Sequence, residues 1–154
     1  MSATDSVTTS VEVDVDPVTA FEVFTEEIDA WYQRGPHSWK NPERAVGIRF
    51  EPGVGGRWIE VWDDETGEGY DFGRITAWEP GKRLVFDYLI HDGGYVTEVE
   101  VRFEPTGGGT RVVLDHRGWD ALPPAVAAEG VANVQQGEPV LLGWFAEYME
   151  KEQR

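Results

Sequence analysis

Hydrophobic and polar residues alternate between residues 7 and 15, where valines are separated by Thr, Ser, Glu and Asp. A period of two predicts a β-strand with one buried side and one side facing water. Asp16 and Pro17 end this alternation. Because aspartate caps the first turn of a helix and proline suits its first position, these two residues predict that a helix begins here.

The predicted helix carries its apolar residues on one face, at Ala20, Phe21, Phe24 and Ile28. We expect it to break near Thr25 into two short helices and to end around residues 31–32. Gly35 and Pro36 follow, a pair that stops helices, and residues 37–44 are expected to form an irregular loop.

Six further strands are predicted, at residues 46–51, 56–62, 70–78, 83–90, 95–104 and 110–116. The connections between them are short and contain Gly, Pro and Asp, which is typical of an antiparallel meander. The alternation is clean in residues 98–103 and indicates one buried and one wet face. Such a sheet needs a cover on its apolar face.

The C-terminal region supplies the predicted cover, an amphipathic helix. Its apolar residues recur at i, i+3, i+4 and i+7, at Leu141, Trp144, Phe145 and Tyr148. We expect Pro139 to open the regular part of this helix, with a preceding helical segment at residues 125–136. The order of strand, helix pair, six strands and long helix indicates an α+β fold in a single domain spanning residues 1–154.

Charge and composition exclude several classes of function. With 29 acidic residues against 13 Lys and Arg, the net charge is −16, which opposes nucleic acid and anionic membranes as partners. The chain has no cysteine, which excludes disulfides and fits a reducing compartment. No signal peptide and no apolar run of the ~20 residues that span a bilayer are found. We therefore expect a cytoplasmic protein, monomeric or homodimeric.

Aromatic residues are frequent, with seven Trp, seven Phe and five Tyr. Because Trp and Tyr bring a polar group that needs a partner when buried, this frequency indicates a cavity wall as well as packing. In the strand at 56–62, either Trp58, Glu60 and Trp62 or the alternate residues could point inward, since one step of register exchanges them. The candidate lining residues are Trp58, Trp62, Phe86, Tyr88, Trp119 and Trp144.

His116, at the end of the last predicted strand, is the best single candidate for chemistry. A pocket-facing imidazole could exchange a proton, but a histidine satisfied by a core hydrogen bond is the alternative interpretation. His37 and His91 are read as loop or strand-end residues without ligand spacing, and the glycine-rich stretches lack a phosphate-binding pattern. No metal and no cofactor are expected.

Charged residues also occur inside the predicted strands, at Glu60, Asp71, Arg74 and Asp87. If a pair of them faced a cavity, it could orient a polar ligand or supply acid–base chemistry. The alternative, which we favour, places them on the solvated face of the sheet, where a charge is inexpensive and discourages edge pairing.

Several segments, taken in this order, resemble the START-like helix-grip (SRPBCC) superfamily. They are VEVDVDPVTAFEVFT, GGRWIEV, FGRITAWEPGKRLVFDY, TRVVLDHRGW and GWFAEYME. The chain is most similar to the branch named for the activator of the heat-shock-protein ATPase, and more loosely to a calicheamicin self-resistance protein that binds an enediyne antibiotic. The resemblance implies a curved antiparallel sheet wrapped around a long C-terminal helix, with a ligand cavity between them.

Membership in this superfamily does not identify a reaction, because its members include ligand carriers, polyketide cyclases and dehydratases, and chaperone-interaction modules. The aromatic pattern favours binding of a small, largely apolar or aromatic molecule, in a carrier, sequestration or resistance role. A cyclase- or dehydratase-type enzyme using His116, and a protein-interaction module, are the two alternatives.

Overall fold

A computed structural model describes residues 6–33, 40–90 and 94–152. In these ranges the chain forms seven strands, three α-helices and a short 3-10 turn. The strands are β1 Ser6–Val13, β2 Gly47–Phe50, β3 Arg57–Asp63, β4 Glu68–Glu79, β5 Arg83–Ile90, β6 Tyr95–Pro105 and β7 Thr110–Arg117. The helices are α1 Pro17–Glu26, α2 Ile28–Trp31 and α3 Pro124–Glu152, and the 3-10 turn is Trp119–Ala121.

The strands form one antiparallel sheet in the order β1-β7-β6-β5-β4-β3-β2. Strands β2 to β7 follow each other as a meander, and β1 pairs with the last strand. The α+β helix-grip prediction is therefore confirmed, and the strand bounds differ from those predicted by at most two residues. The predicted helix stop at Gly35-Pro36, most of the predicted loop, His37, His91 and the turn at residues 92–94 lie wholly or partly outside the described residues.

The helix pair after β1 forms as the local sequence predicts. The Asp16 carboxylate accepts hydrogen bonds from the backbone N–H of Thr19 (3.3 Å) and from its hydroxyl (2.6 Å), and Pro17 occupies the first turn. At the other end, the Thr25 hydroxyl donates to the Phe21 carbonyl at 2.8 Å, and α1 stops at Glu26. The predicted break near Thr25 is confirmed.

The core lies between the sheet and the helices, where aromatic rings from distant parts of the chain meet. Phe24 of α1 contacts Phe145 of α3 edge to face, with ring centroids 5.3 Å apart, and Phe103 of β6 at 5.8 Å. Phe21 packs on the same Phe103 ring at 5.2 Å. Each such pair contributes ~0.5–1.5 kcal/mol beyond area burial, so these contacts fix α1 and the end of α3 to the sheet.

Helix α3 is continuous through Pro139, so the expectation that Pro139 opens the helix was wrong. A proline inside a helix removes one N–H donor and crowds the preceding turn, but it does not end the helix when packing holds both sides. The buried residues of α3 are Leu142, Phe145 and Met149, all beyond Pro139. Only that part of the helix enters the core.

A cavity between the sheet and the last helix

A cavity of about 790 Å³ lies between the sheet and the helices, within the usual size range of small-molecule sites. The helices α1 and α2 and residue 32 contribute Phe24, Ile28, Trp31 and Tyr32 to its wall. The sheet contributes Phe50, Trp58, Phe86, Tyr88, Val99 and Leu114. Helix α3 contributes Asn133, Val134, Gln136, Gly137, Glu138, Val140, Leu141 and Trp144.

Strand register explains why the sheet side of the cavity is apolar. Phe86 of β5 pairs with Val99 of β6, and Val99 pairs in turn with His116 of β7. Paired residues in neighbouring strands point to the same face, so one row of side chains crosses the sheet beneath α3. The alternation that predicts each strand thus also selects its cavity-facing residues.

Aromatic side chains form the densest part of the wall around Trp58. Its ring lies 5.2 Å from Phe86, 5.5 Å from Phe50 and 5.9 Å from Tyr88, measured between centroids. Burial raises the pKa of Tyr88 to about 12, with a smaller contribution from the Glu138 charge, and burial also raises the pKa of Tyr32. Both tyrosines are therefore neutral near neutral pH, and this wall favours uncharged ligand surface.

Four of the predicted lining residues lie on this cavity: Trp58, Phe86, Tyr88 and Trp144. Trp119 instead lines a smaller adjoining cavity of about 320 Å³, which shares Tyr88, Asn133 and Val134 with the larger one. Trp62 and His116 are not among the described residues that line either cavity.

Trp62 is held outside the cavity by polar contacts. Its indole N–H donates to Glu60 at 2.8 Å, and the Arg44 guanidinium lies 4.9 Å from its ring centroid. The register between β3 and β4 shifts on both sides of this stretch, at Trp58/Ile59 and Val61/Asp63. These irregularities interrupt the alternation of buried and exposed side chains along β3. Trp58 and its neighbour Ile59 are therefore both buried, but only Trp58 packs in the core between the sheet and the helices.

Glu60 is fully buried, which corrects the expectation of a solvated position. Its carboxylate accepts hydrogen bonds from the backbone N–H groups of Lys40 (2.6 Å) and Asn41 (2.8 Å) and from Trp62. A buried carboxylate is tolerated when its oxygens are bonded, so Glu60 anchors the chain that leads into β2. By contrast, Arg74 is exposed and pairs with Asp71 at 3.6 Å, as expected of the solvated face.

His116 has no exposed surface and sits at the centre of a hydrogen-bonded chain. Its Nε2 lies 2.6 Å from the Thr97 hydroxyl, and its Nδ1 lies 2.7 Å from Oε2 of Glu138. The ring also packs against Trp119, with centroids 4.5 Å apart, and Trp119 donates its indole N–H to the His116 carbonyl. Both ring nitrogens are thus engaged, and the residue at the cavity wall is Glu138.

Glu138 is the functional candidate that the sequence reasoning missed. It precedes Leu141, Leu142 and Phe145 by three, four and seven residues, so it continues the apolar stripe of α3. A carboxylate within an apolar stripe was the available signal. The expectation that the regular helix begins at Pro139 placed Glu138 outside that helix, so its position on the apolar face was not recognised.

Two buried polar atoms among the described side chains have no hydrogen-bond partner, Nε1 of Trp58 and Oε1 of Glu138. Both residues line the larger cavity. The described residues contain no group of three or more His, Asp or Glu side chains arranged to hold a metal ion. None of the helices in the described ranges has the length and apolar character needed to span a bilayer.

Comparison with known proteins agrees with this architecture. Residues 14–150 match the family model of activator of Hsp90 ATPase homolog 1-like proteins. The chain belongs to this family. No curated protein matches significantly in sequence.

Solved structures of low sequence identity share the fold of this family member. A protein of Nitrosomonas europaea is 18% identical with a TM-score of 0.71, and the match covers 99% of this chain and 98% of that one. CalU16 of Micromonospora echinospora is 19% identical with a TM-score of 0.65, covering 96% and 78%. DynU16, from the dynemicin biosynthetic locus, is 20% identical with a TM-score of 0.64, covering 95% of this chain and 47% of DynU16.

Proposed function

We propose that this protein binds a small, largely apolar or aromatic molecule in the cavity beneath α3, as a carrier, a sequestering protein or a resistance protein. The observation that carries the proposal is the cavity of about 790 Å³ with a wall made mainly of aromatic and aliphatic side chains. Desolvation of an apolar ligand against such a wall is favourable, and a preformed cavity avoids the cost of opening one. The shared fold of DynU16, a protein of the dynemicin biosynthetic locus, supports a small-molecule role.

The test uses N-phenyl-1-naphthylamine, a neutral aromatic probe whose fluorescence rises when it leaves water. Val134 lines both cavities, so Val134→Trp fills their junction and should weaken probe binding at least about tenfold. Val96→Trp is the matched control, because Val96 is 51% exposed on β6 and lines neither cavity. The proposal fails if the wild-type protein shows no saturable binding, or if both variants bind the probe as the wild type does.

A cyclase- or dehydratase-type enzyme acting on a polyketide-like substrate is the second candidate, and one contact favours it. Glu138 lines the cavity and is bonded to His116, an arrangement able to hold or move a proton next to a bound substrate. Under this hypothesis His116→Ala should abolish turnover and leave probe binding intact. Unchanged turnover in that variant would exclude a role for the histidine. The third hypothesis, a protein-interaction module, stays a prediction.

A further inference from the structure

Glu138 and Trp58 indicate which polar groups a ligand of this cavity carries. We propose that the ligand is an aromatic molecule with a hydroxyl or amine group that donates to Oε1 of Glu138 and an acceptor atom that receives the indole N–H of Trp58. The inference rests on the proposed binding function and narrows it to one chemical class. Carboxylic acids such as fatty acids are excluded from that class.

The first argument comes from the unpaired atoms themselves. Buried donors and acceptors are nearly always hydrogen-bonded, because a buried polar group without a partner loses its hydrogen bonds to water and gains none in return. In the described part of the chain the two exceptions among side chains are Nε1 of Trp58 and Oε1 of Glu138. Both residues border the same cavity, one from the sheet and one from α3. Their unmet bonds are therefore placed where a guest molecule can complete them.

A comparison with Glu60 shows that this protein does pair a buried carboxylate where its role is structural. Glu60 is fully buried and accepts three hydrogen bonds, from two backbone N–H groups and from Trp62. Glu138 has one such contact, 2.7 Å between its Oε2 and Nδ1 of His116, and its second oxygen is left without a partner. This difference indicates that Oε1 of Glu138 is available to accept a hydrogen bond from a ligand.

The position of Glu138 is fixed before any ligand arrives. His116 holds Oε2 at 2.7 Å and is itself held by the Thr97 hydroxyl at 2.6 Å and by the Trp119 ring. An oriented acceptor costs little further ordering when a ligand binds. A carboxylate oxygen accepts hydrogen bonds, so a ligand bonded to Oε1 supplies the donor.

Charge on the cavity wall excludes an acidic ligand. The described lining residues of the larger cavity include the acidic Glu138 and no Lys or Arg. The adjoining smaller cavity adds one cation and one anion, Lys40 and Glu129. With a net charge of −16 on the chain, a bound carboxylate would meet repulsion in a poorly hydrated site. A neutral hydroxyl or an amine meets none.

The test compares three naphthalenes that share one ring system: 2-naphthol with a donor, 2-methoxynaphthalene without one, and the anion 2-naphthoate. Their dissociation constants are measured by quenching of tryptophan fluorescence or by calorimetry. For the wild type we expect 2-naphthol to bind about tenfold more tightly than 2-methoxynaphthalene, the ratio that one charge-assisted hydrogen bond supplies. We expect 2-naphthoate to bind more weakly than either.

Three variants assign these preferences to atoms. Glu138→Gln keeps the shape and removes the charge, and should reduce the preference for 2-naphthol to about threefold or less. Trp58→Phe keeps an aromatic ring and removes the N–H, and should weaken 2-naphthol and 2-methoxynaphthalene alike by about threefold to tenfold. Glu147→Gln is the control, since it makes the same charge change at an exposed site of the same helix. It should leave the dissociation constants of all three naphthalenes unchanged.

The outcomes separate this inference from the proposed function. If all three naphthalenes bind the wild type equally and Glu138→Gln leaves their affinities unchanged, the inference is wrong and the binding function stands. If 2-naphthoate binds best, the inference is wrong as well. If none of them binds and N-phenyl-1-naphthylamine also fails, both proposals fall. Thermal unfolding of each variant without ligand verifies that a lost affinity does not come from misfolding.

Discussion

The two parts of helix α3, on either side of Pro139, differ in what they contact. Beyond Pro139, Leu142, Phe145 and Met149 are buried in the core, and Phe145 meets rings of α1 and α2. Before Pro139, residues 124–138 include no fully buried side chain, and several of them border the cavity. One helix thus provides both a cavity cover and a packed anchor: its buried residues all lie beyond Pro139, where Val140, Leu141 and Trp144 also line the cavity.

This difference separates stability from binding along a single element. Burial of apolar surface stabilises a fold in proportion to the area removed from water, so the anchor should dominate the free energy of unfolding. A cover with few buried contacts opens at a lower free energy than the whole protein, as ligand-binding segments generally do. Substitutions at the buried residues beyond Pro139 should therefore act on the free energy of unfolding, and substitutions at cavity-lining residues should act on ligand binding.

The largest effect is expected for Phe145→Ala in the anchor. Phe145 has no exposed surface and packs against Phe24 and Trp31 at 5.3 and 5.5 Å. Its truncation should reduce the free energy of unfolding by about 3–5 kcal/mol through lost transfer energy and a residual void. Val140→Ala, at a residue 51% exposed, should change it by less than about 0.5 kcal/mol. Urea unfolding measures both, and equal effects would show that burial of Phe145 does not anchor α3 to the core.

Alanine substitutions at two glycines of the cover should change the free energy of unfolding by smaller amounts and in opposite directions. A Cβ on Gly130 would lie 2.5 Å from Cζ3 of buried Trp119, whereas a Cβ on Gly137 would meet nothing within 4 Å. Gly137→Ala should therefore raise the free energy of unfolding by about 1 kcal/mol through helix propensity. Gly130→Ala should lower it by about 1 kcal/mol, because the clash exceeds that gain. A stable Gly130→Ala protein would show that the cover moves freely away from Trp119.

The same comparison shows how far the sequence predicts this molecule. Local signals act over a few residues, so the Asp16 cap, the break at Thr25 and the limits of β5 follow directly from the sequence. Pro139 was misread because local chemistry says that proline starts helices, while contacts on both sides decide that this helix continues.

The candidate site was predicted less completely than the fold. The aromatic wall follows from strand alternation, which brings Phe86 and Tyr88 to the cavity. The pairing of Glu138 with His116 joins residues 22 positions apart in different elements, and the burial of Glu60 depends on backbone groups of residues 40 and 41. Such pairings depend on three-dimensional proximity, so a pattern along the chain does not reveal them.

Hydrogen exchange should resolve the two parts of α3 directly. Amides of residues 128–138 should exchange through local opening, faster than those of residues 145–149, which require global unfolding. Adding 2-naphthol at about ten times its dissociation constant should slow exchange in the cover by about tenfold and leave the fastest-exchanging loops unchanged. Uniform protection along the whole helix, with or without the probe, would mean that α3 opens as one unit.

The smallest effect concerns alkaline pH and the tyrosine at the cavity. Burial raises the pKa of Tyr88 from 10.0 to about 12, so its neutral form is favoured in the folded protein. The resulting stabilisation is complete below the unfolded-state pKa and is lost as the pH rises toward the folded-state pKa. Between about pH 9 and pH 11 we expect Tyr88 to account for a loss of about 1 kcal/mol of unfolding free energy, absent in Tyr88→Phe. Identical pH profiles for the two proteins would show that Tyr88 is hydrated in the folded state and that α3 does not shield this wall from water.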